Sequence, residues 1–553
     1  MKQAGSKNIF SYQYRLKRLK RDSNKWALLT VAILVFIALP VVTIGIELFS
    51  GPGETWGHIV DNLLPDYLWN SLFLILACGI LVLLFGVSTA WLVARFEFPL
   101  RKQLEWLLIL PLAIPGYIVA YAYAGIFDYG GSFQLLLEAA GLEFVRIDIM
   151  NKFGLAFVLG ISLFPYVYVS SRAFFINQAN SLLEASEMLG VGQFKTFFRL
   201  MLPMARPAIV AGLILVLMEV LNDYGAAKYY GVNTFTVGIF RSWFALEEPE
   251  TAVYLSALLI VIVFTLILLE KFQRRKVQFN SNRSNNRSID RKKPGRRQQV
   301  LIFIAVLIPV LLGFIFPLSQ LIFWAVLTFD KVFDASFLAL SLQSFWIACL
   351  TAFVTVVMAI TLIYFSKWSR LGFIKNIAKL GVLGYAIPGA VIAIGIMIPM
   401  ISIDKWLISF FDRFFNMDVG LLITGTVVAL IYAYVVRFLA VAYNPIESTS
   451  LKVSNTIPDS SRILGVGNIS TFFKIEFPLI RTGIASAFIL VFIDALKELP
   501  LTLILKPFHV NTLAVKAYEY ASDEMVMEAA IPSLFIIVTV MLPVIFLNRM
   551  LIK

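Results

Sequence analysis

Residues 184–203 read EASEMLGVGQFKTFFRLMLP, and residues 459–478 read DSSRILGVGNISTFFKIEFP. Both carry Leu-Gly-Val-Gly, Thr-Phe-Phe and a closing proline, at a constant separation of 275 residues. Each predicts a short amphipathic helix, a corner at Gly190-Val191-Gly192 or Gly465-Val466-Gly467, and a second helix. Phe194, Phe197 and Phe198 fall at i, i+3 and i+4, one face of that second helix. Glycine supplies the backbone freedom for the corner, and Pro203 and Pro478 are expected to end the second helix before the next segment. Neither copy is apolar enough to cross a bilayer, yet both stand among segments that are.

Working outward, other pairs recur in the same order. Asn70-Ser71 corresponds to Gln343-Ser344, AIPG at 113–116 to AIPG at 386–389, and VNT at 232–234 to VNT at 510–512. The separations grow slowly from 273 to 278 residues along the chain, the signature of a duplication.

The 553 residues have a mean hydropathy of +0.83 and are 59% hydrophobic and 15% charged, against about 25% charged for a soluble globule. Runs of uncharged residues long enough to span roughly 30 Å of hydrocarbon recur. The expected class is an all-α polytopic membrane protein of about twelve transmembrane helices, near 26–48, 70–94, 105–127, 153–173, 205–224, 252–270, 300–326, 341–366, 378–400, 420–441, 482–500 and 528–549. The first run is too long for the apolar region of a cleavable signal. The net charge of +13 does not imply nucleic acid: eleven basic residues lie between Lys271 and Arg297, and others precede Trp26. Both groups flank spans, where the positive-inside rule places them. Two cysteines, Cys78 and Cys349, and two histidines, His58 and His509, give no disulfide framework and no metal motif. No catalytic residue, resident metal or cofactor is expected.

The basic N-terminus is expected on the cytoplasmic side, and an even number of spans returns the C-terminus there. The polar stretch 271–299 reads as a basic cytoplasmic linker between an N-terminal half, 1–270, and a C-terminal half, 300–553. Six spans per half give both the same orientation, as parallel repeats about an axis along the membrane normal. Both copies of the opening phrase then face the cytoplasm.

Acidic residues punctuate two spans at matching positions, Glu219 and Asp223 in one, Asp494 and Glu498 in the other. A spacing of four predicts that each pair shares a helix face. Facing lipid, each would cost about 2.5–3.5 kcal/mol, so they are expected to line a water-filled path or to pair with cations. Lys497 is the expected partner for Asp494 and Glu498. Pro115-Gly116 and Pro388-Gly389 interrupt two spans and read either as hinges or as sites of close packing. The run KYYGVNTF, 228–235, reads as an interfacial aromatic belt, a re-entrant segment or a contact for a delivery protein. GVGQFKT at 190–196 lacks the Gly-Lys-Ser/Thr of a phosphate loop and follows no strand, so ATP chemistry would have to come from another chain.

The repeated phrase resembles the EAA loop of permease subunits in bacterial ABC importers. Glu184, Ala185, Gly190, Leu202 and Pro203 match that pattern, and Ser186 departs from it. In the second copy Asp459, Ser460 and Ser461 replace Glu-Ala-Ala, while Gly465 and Pro478 are kept. With PLAIPGYIVAYAYAGIF at 111–127, NDYGAAKYYGVNTFTVGIFRSWF at 222–244 and DALKELPLTLILKPF at 494–508, nearly the whole chain resembles the fused two-half permeases of ferric-iron importers. The resemblance implies a type I ABC-importer permease fold in the bacterial inner membrane, a cytoplasmic ABC ATPase dimer on the two loops, and an extracytoplasmic substrate-binding protein. Coupling would fall to Glu184, Ala185, Gly190, Gly192, Pro203, Asp459, Gly465, Gly467 and Pro478. The path would be lined by Glu219, Asp223, Tyr224, Asp494 and Glu498. Carboxylates and Tyr224 are hard oxygen donors that suit Fe(III), though a path calls for transient contacts and no stable metal site is expected. An importer of thiamine or another solute, or a secondary transporter driven by an ion gradient, is the competing reading.

Overall fold

The computed structural model describes residues 25–141, 147–177, 183–184, 186, 188–275, 291–369, 371–417, 420–454 and 456–552. Much of the expected linker, residues 276–290, lies outside them, as does Ala185. Among the described residues, ten helices are long and apolar enough to cross a membrane: α1 Lys25–Ser50, α2 Leu64–Arg95, α3 Lys152–Ile176, α4 Gln193–Asn222, α5 Pro249–Gln273, α6 Arg296–Val332, α7 Ala335–Trp368, α8 Gly389–Phe415, α9 Val427–Ser450 and α10 Asn468–Lys497.

One of the twelve expected spans takes another form. In place of the span at 105–127 stand Arg101–Ala113 and Gly116–Ala139, bent by 94°. The last, expected at 528–549, is the helix Ala530–Ile552, of which Ala530–Pro543 is apolar. The bend falls at Ile114 (ψ 117°) and Pro115 (ψ 141°), both extended. A proline ring clashes with a helical residue before it, so the preceding helix must stop. Ile387 and Pro388 repeat this geometry (ψ 127° and 142°), which moves the span expected at 378–400 to Gly389–Phe415.

The chain forms two compact units, one drawn from Met1–Phe49, Leu342–Asn511 and Leu542–Lys553, the other from Ser50–Ser341 and Thr512–Met541. These do not coincide with the expected halves 1–270 and 300–553. In the first unit α1 packs on the C-terminal half's helices. A Cβ on Gly395 would lie 2.4 Å from the Pro40 carbonyl oxygen, the Tyr432 hydroxyl donates to Phe36 O at 2.5 Å, and Trp26 meets Trp368 with ring centroids 4.8 Å apart. In the second unit α6 packs on the N-terminal half. The Tyr123 hydroxyl donates to Leu312 O at 2.7 Å, and a Cβ on Gly125 would meet the Trp324 ring at 2.4 Å. The opening span of each sequence half thus packs against spans of the other half. Small residues at such crossings let backbones approach closely where no hydrophobic force separates helix from lipid.

Candidate functional site

The two copies of the repeated phrase adopt the same geometry, bond for bond. Gly190 and Gly465 have φ of +69° and +82°, the left-handed region that glycine enters without strain. Val191 N donates to Ser186 O at 3.0 Å, and Val466 N to Ser461 O at 3.1 Å. Gly192 and Gly467 cap the next helix in extended conformation, and their carbonyls accept from Thr196 N and Thr471 N at 3.0 Å. The buried hydroxyls of Ser186 and Thr196 lie 2.6 Å apart, and those of Ser461 and Thr471 2.8 Å. Thus Ser186, a departure from the Glu-Ala-Ala pattern, ties the helix before the corner to the helix after it.

Glu184 and Asp459 are exposed on the leading helices. Met188, Leu189, Phe194 and Phe198 are exposed in one copy, and Ile463, Leu464, Ile469 and Phe473, the equivalent four, in the other. Each loop therefore presents an apolar face with no covering in its own unit.

Pro203 and Pro478 do not end their helices, contrary to expectation. The helices run on as α4 and α10 through π-helical turns at Phe197–Met201 and Phe472–Glu476, with Leu202 N and Phe477 N reaching back five residues to Phe197 O and Phe472 O. The wider turn accommodates a ring that clashes with an ordinary α-helix and lacks a donor.

At the far ends of α4 and α10 lie the acids. Asp223 and Glu498 cap the two helices: Asp223 N still donates to Glu219 O at 3.0 Å, and beyond each acid the chain turns extended (ψ 126° and 123°). Asp223 Oδ1 accepts from Ala227 N at 3.0 Å, and a Cβ on Gly116 would stand 3.9 Å from its other oxygen. Glu498 accepts from Leu501 N at 3.2 Å and pairs with Arg437 at 3.3 Å, side chains that are 6% and 4% exposed. Gly389 makes room for that pair, since a Cβ there would sit 2.7 Å from Glu498 Oε1 and 2.8 Å from Arg437 Nη1. Lys497 pairs with Asp494 at 3.0 Å. Pro115 and Pro388 start helices, and the glycines after them bring backbone against the acids. Arg437 escaped the sequence reading, although a basic residue inside an apolar span is itself a signal.

The run 228–235 is folded inward. Tyr230 is buried and donates to Ala120 O at 3.1 Å, and Thr234 caps the helix Phe235–Phe240 through Val237 N at 3.4 Å.

Comparison with known proteins decides what this arrangement belongs to. Residues 83–277 match the family described as "Binding-protein-dependent transport system inner membrane component". The chain carries this permease domain over those residues. It is 26% identical over 490 residues, 88% of its own length and 90% of the relative's, to the "Fe(3+)-transport system permease protein FbpB 2" of Haemophilus influenzae. It is 25% identical over 285 residues to the "Spermidine/putrescine transport system permease protein PotB" of the same organism, covering 47% of this chain and 99% of that one. It is also 28% identical over 209 residues to the "Sulfate transport system permease protein CysW" of Escherichia coli, 37% of this chain and 70% of the relative. These likenesses identify an ABC-importer inner-membrane permease, which displaces the gradient-driven reading.

Proposed function

We propose that the permease carries Fe(III) inward across the bacterial cytoplasmic membrane, driven by ATP hydrolysed in a separate ATPase dimer and loaded by an extracytoplasmic binding protein. The observation that carries this reading is the matched pair of loops, each an exposed apolar face on a corner fixed by the same hydrogen bonds. Apolar helix faces of this kind dock in grooves of soluble partners, and two equivalent faces suit a symmetric pair. N- and C-termini on the cytoplasmic side put both loops within reach of that pair.

The loop is joined to the path by one continuous helix. The 30 residues of α4 run from Gln193 at the corner to the residue before Asp223, about 45 Å at the α-helical rise. In the same way α10 runs from the second corner to the residue before Glu498. Closure of the ATPase dimer moves the corners, and each rigid helix delivers that motion to an acid-bearing end, shifting the permease between inward- and outward-open states. Iron is favoured as cargo because the ferric relative matches along 88% of the chain, whereas the polyamine and sulfate relatives match 47% and 37%.

Reconstitution with the cognate ATPase and binding protein tests the reading, with labelled Fe(III), sulfate, spermidine and thiamine offered separately. Fe(III) uptake that needs ATP is expected. Gly190→Val and Gly465→Val, which force a β-branched residue into the left-handed region, should leave ATP hydrolysis running and abolish uptake. Uptake at the normal rate in both variants overturns the coupling role, and ATP-dependent uptake of another solute but not Fe(III) overturns the cargo.

A further inference from the structure

The second compact unit gathers tyrosines around Asp223. The Tyr224 and Tyr518 hydroxyls are 3.3 Å apart. Ring centroids of Tyr121 and Tyr229 lie 4.6 Å apart, and those of Tyr117 and Tyr121 5.9 Å. Tyr224 follows Asp223 in the chain, and a Cβ on Gly116, the residue before Tyr117, would stand 3.9 Å from Asp223 Oδ2, so the Tyr117–Tyr121–Tyr229 rings and the Tyr224–Tyr518 pair both lie beside that carboxylate. Tyr121 is 1% exposed, and its hydroxyl has no hydrogen-bond partner among the described residues. Burying an unsatisfied hydroxyl is costly, a cost that a phenylalanine would avoid.

The internal repeat supplies a control. At the equivalent positions of the second half, Tyr117 becomes Ala390, Tyr121 becomes Ile394, Tyr224 becomes Leu499 and Tyr229 becomes Ile504. Those four positions are thus filled there without a ring or a hydroxyl. Glu498, the counterpart of Asp223, is paired with Arg437, whose counterpart in the first half is Ser162. Four tyrosine positions near Asp223 are thus aliphatic near Glu498, which is ion-paired and has Thr502 Oγ1 donating to its carbonyl at 2.8 Å.

We propose that Tyr117, Tyr121, Tyr224, Tyr229, Tyr518 and Asp223 form a transient site for a hard metal cation, Fe(III) on the reading above, on the N-terminal side of the path. Phenol and carboxylate oxygens are the donors such a cation selects. A cage for an organic ammonium would instead offer ring faces, and here faces are occupied: Phe240 stacks on Tyr224 with centroids 3.7 Å apart, and Tyr121 and Tyr229 meet in a T. Each phenol that ligates the cation releases its proton to water, and release of the cation takes the proton back. The remaining positions on the metal are filled by water, so the contact is easily broken.

The test uses the full chain, purified in detergent and titrated with ferric nitrilotriacetate. The wild-type permease is expected to develop a visible phenolate-to-iron charge-transfer band. Tyr121→Phe, and separately Tyr224→Phe, each checked by its melting profile, should weaken the band's apparent affinity about tenfold or more, and Asp223→Asn should do the same. Gly190→Val should keep the band while losing uptake, which separates this site from the coupling role. Absence of the band in wild type, or its persistence with unchanged affinity in both folded phenylalanine variants, overturns the site even where ATP-driven Fe(III) uptake stands. A band that is lost in the variants upholds the site whatever cargo the reconstituted importer prefers.

Discussion

Asp223 and Glu498 occupy equivalent helix ends in unlike company. Glu498 is locked to Arg437 with both side chains almost fully buried. Removing one partner of such a pair leaves the other charge buried and alone, which costs about 3–5 kcal/mol. Arg437→Leu is therefore expected to lower the melting temperature of the solubilised chain sharply, and Arg437→Leu combined with Glu498→Leu to recover most of the loss. A second residue-scale prediction concerns Glu248. Its carboxylate accepts from Thr55 N at 3.1 Å, Thr55 Oγ1 at 2.6 Å and Thr251 Oγ1 at 2.7 Å. The Thr55 hydroxyl first, then that of Thr251, hold the carboxyl below its usual range. The resulting stability is present above the ordinary glutamate pKa of about 4.3 and is lost as pH falls through the lower folded value. Hydrogen exchange of residues 51–56 should rise across that acidic window in wild type, and be raised and independent of pH there in Glu248→Gln. The acids themselves were legible in the sequence as costly charges in apolar spans. Lys497 beside Asp494 was legible too, but Arg437 was not, because it reaches Glu498 from another helix.

Among elements, the two loops show how a repeat can be read and misread. The corner glycines, the shared face of Phe194 and Phe198 and the equivalence of the copies followed from spacing alone. Ser186 and Ser461, by contrast, read as losses from a pattern, whereas each is half of a buried hydroxyl pair with Thr196 or Thr471. Ser186→Ala or Ser461→Ala is expected to cost about 1 kcal/mol locally, to raise amide exchange across the corner, and to lower uptake per ATP while hydrolysis continues. Equal effects at the two serines are expected from their equal geometry. Pro203 and Pro478 were read as helix ends because the rule for proline assumes α-helical turns. The π turns that carry the chain past them depend on packing around Phe197 and Phe472 and leave no mark in local composition.

For the whole molecule, the exchange of opening spans between sequence halves is the largest departure from what the repeat suggested. Gly395→Leu would drive a side chain against the Pro40 backbone of α1, and overpacking of this kind costs about 1–3 kcal/mol. Loosening of α1 should appear as new protease cleavage within residues 25–50, with the second unit's own melting unaffected. If α1 stays protected in that variant, its packing on α8 is not what holds it.

Hydropathy, charge placement and the duplicated phrase were enough to establish a membrane-spanning helical chain with two equivalent corners. These depend on transfer from water to lipid and on local backbone freedom, and both can be read one residue at a time. Tertiary structure alone decided which helix supplies Arg437 to Glu498, which tyrosines meet around Asp223, and which half shelters α1 and α6. Those outcomes depend on contacts between residues far apart in sequence, where lipid gives no hydrophobic push between helices and close packing makes the choice.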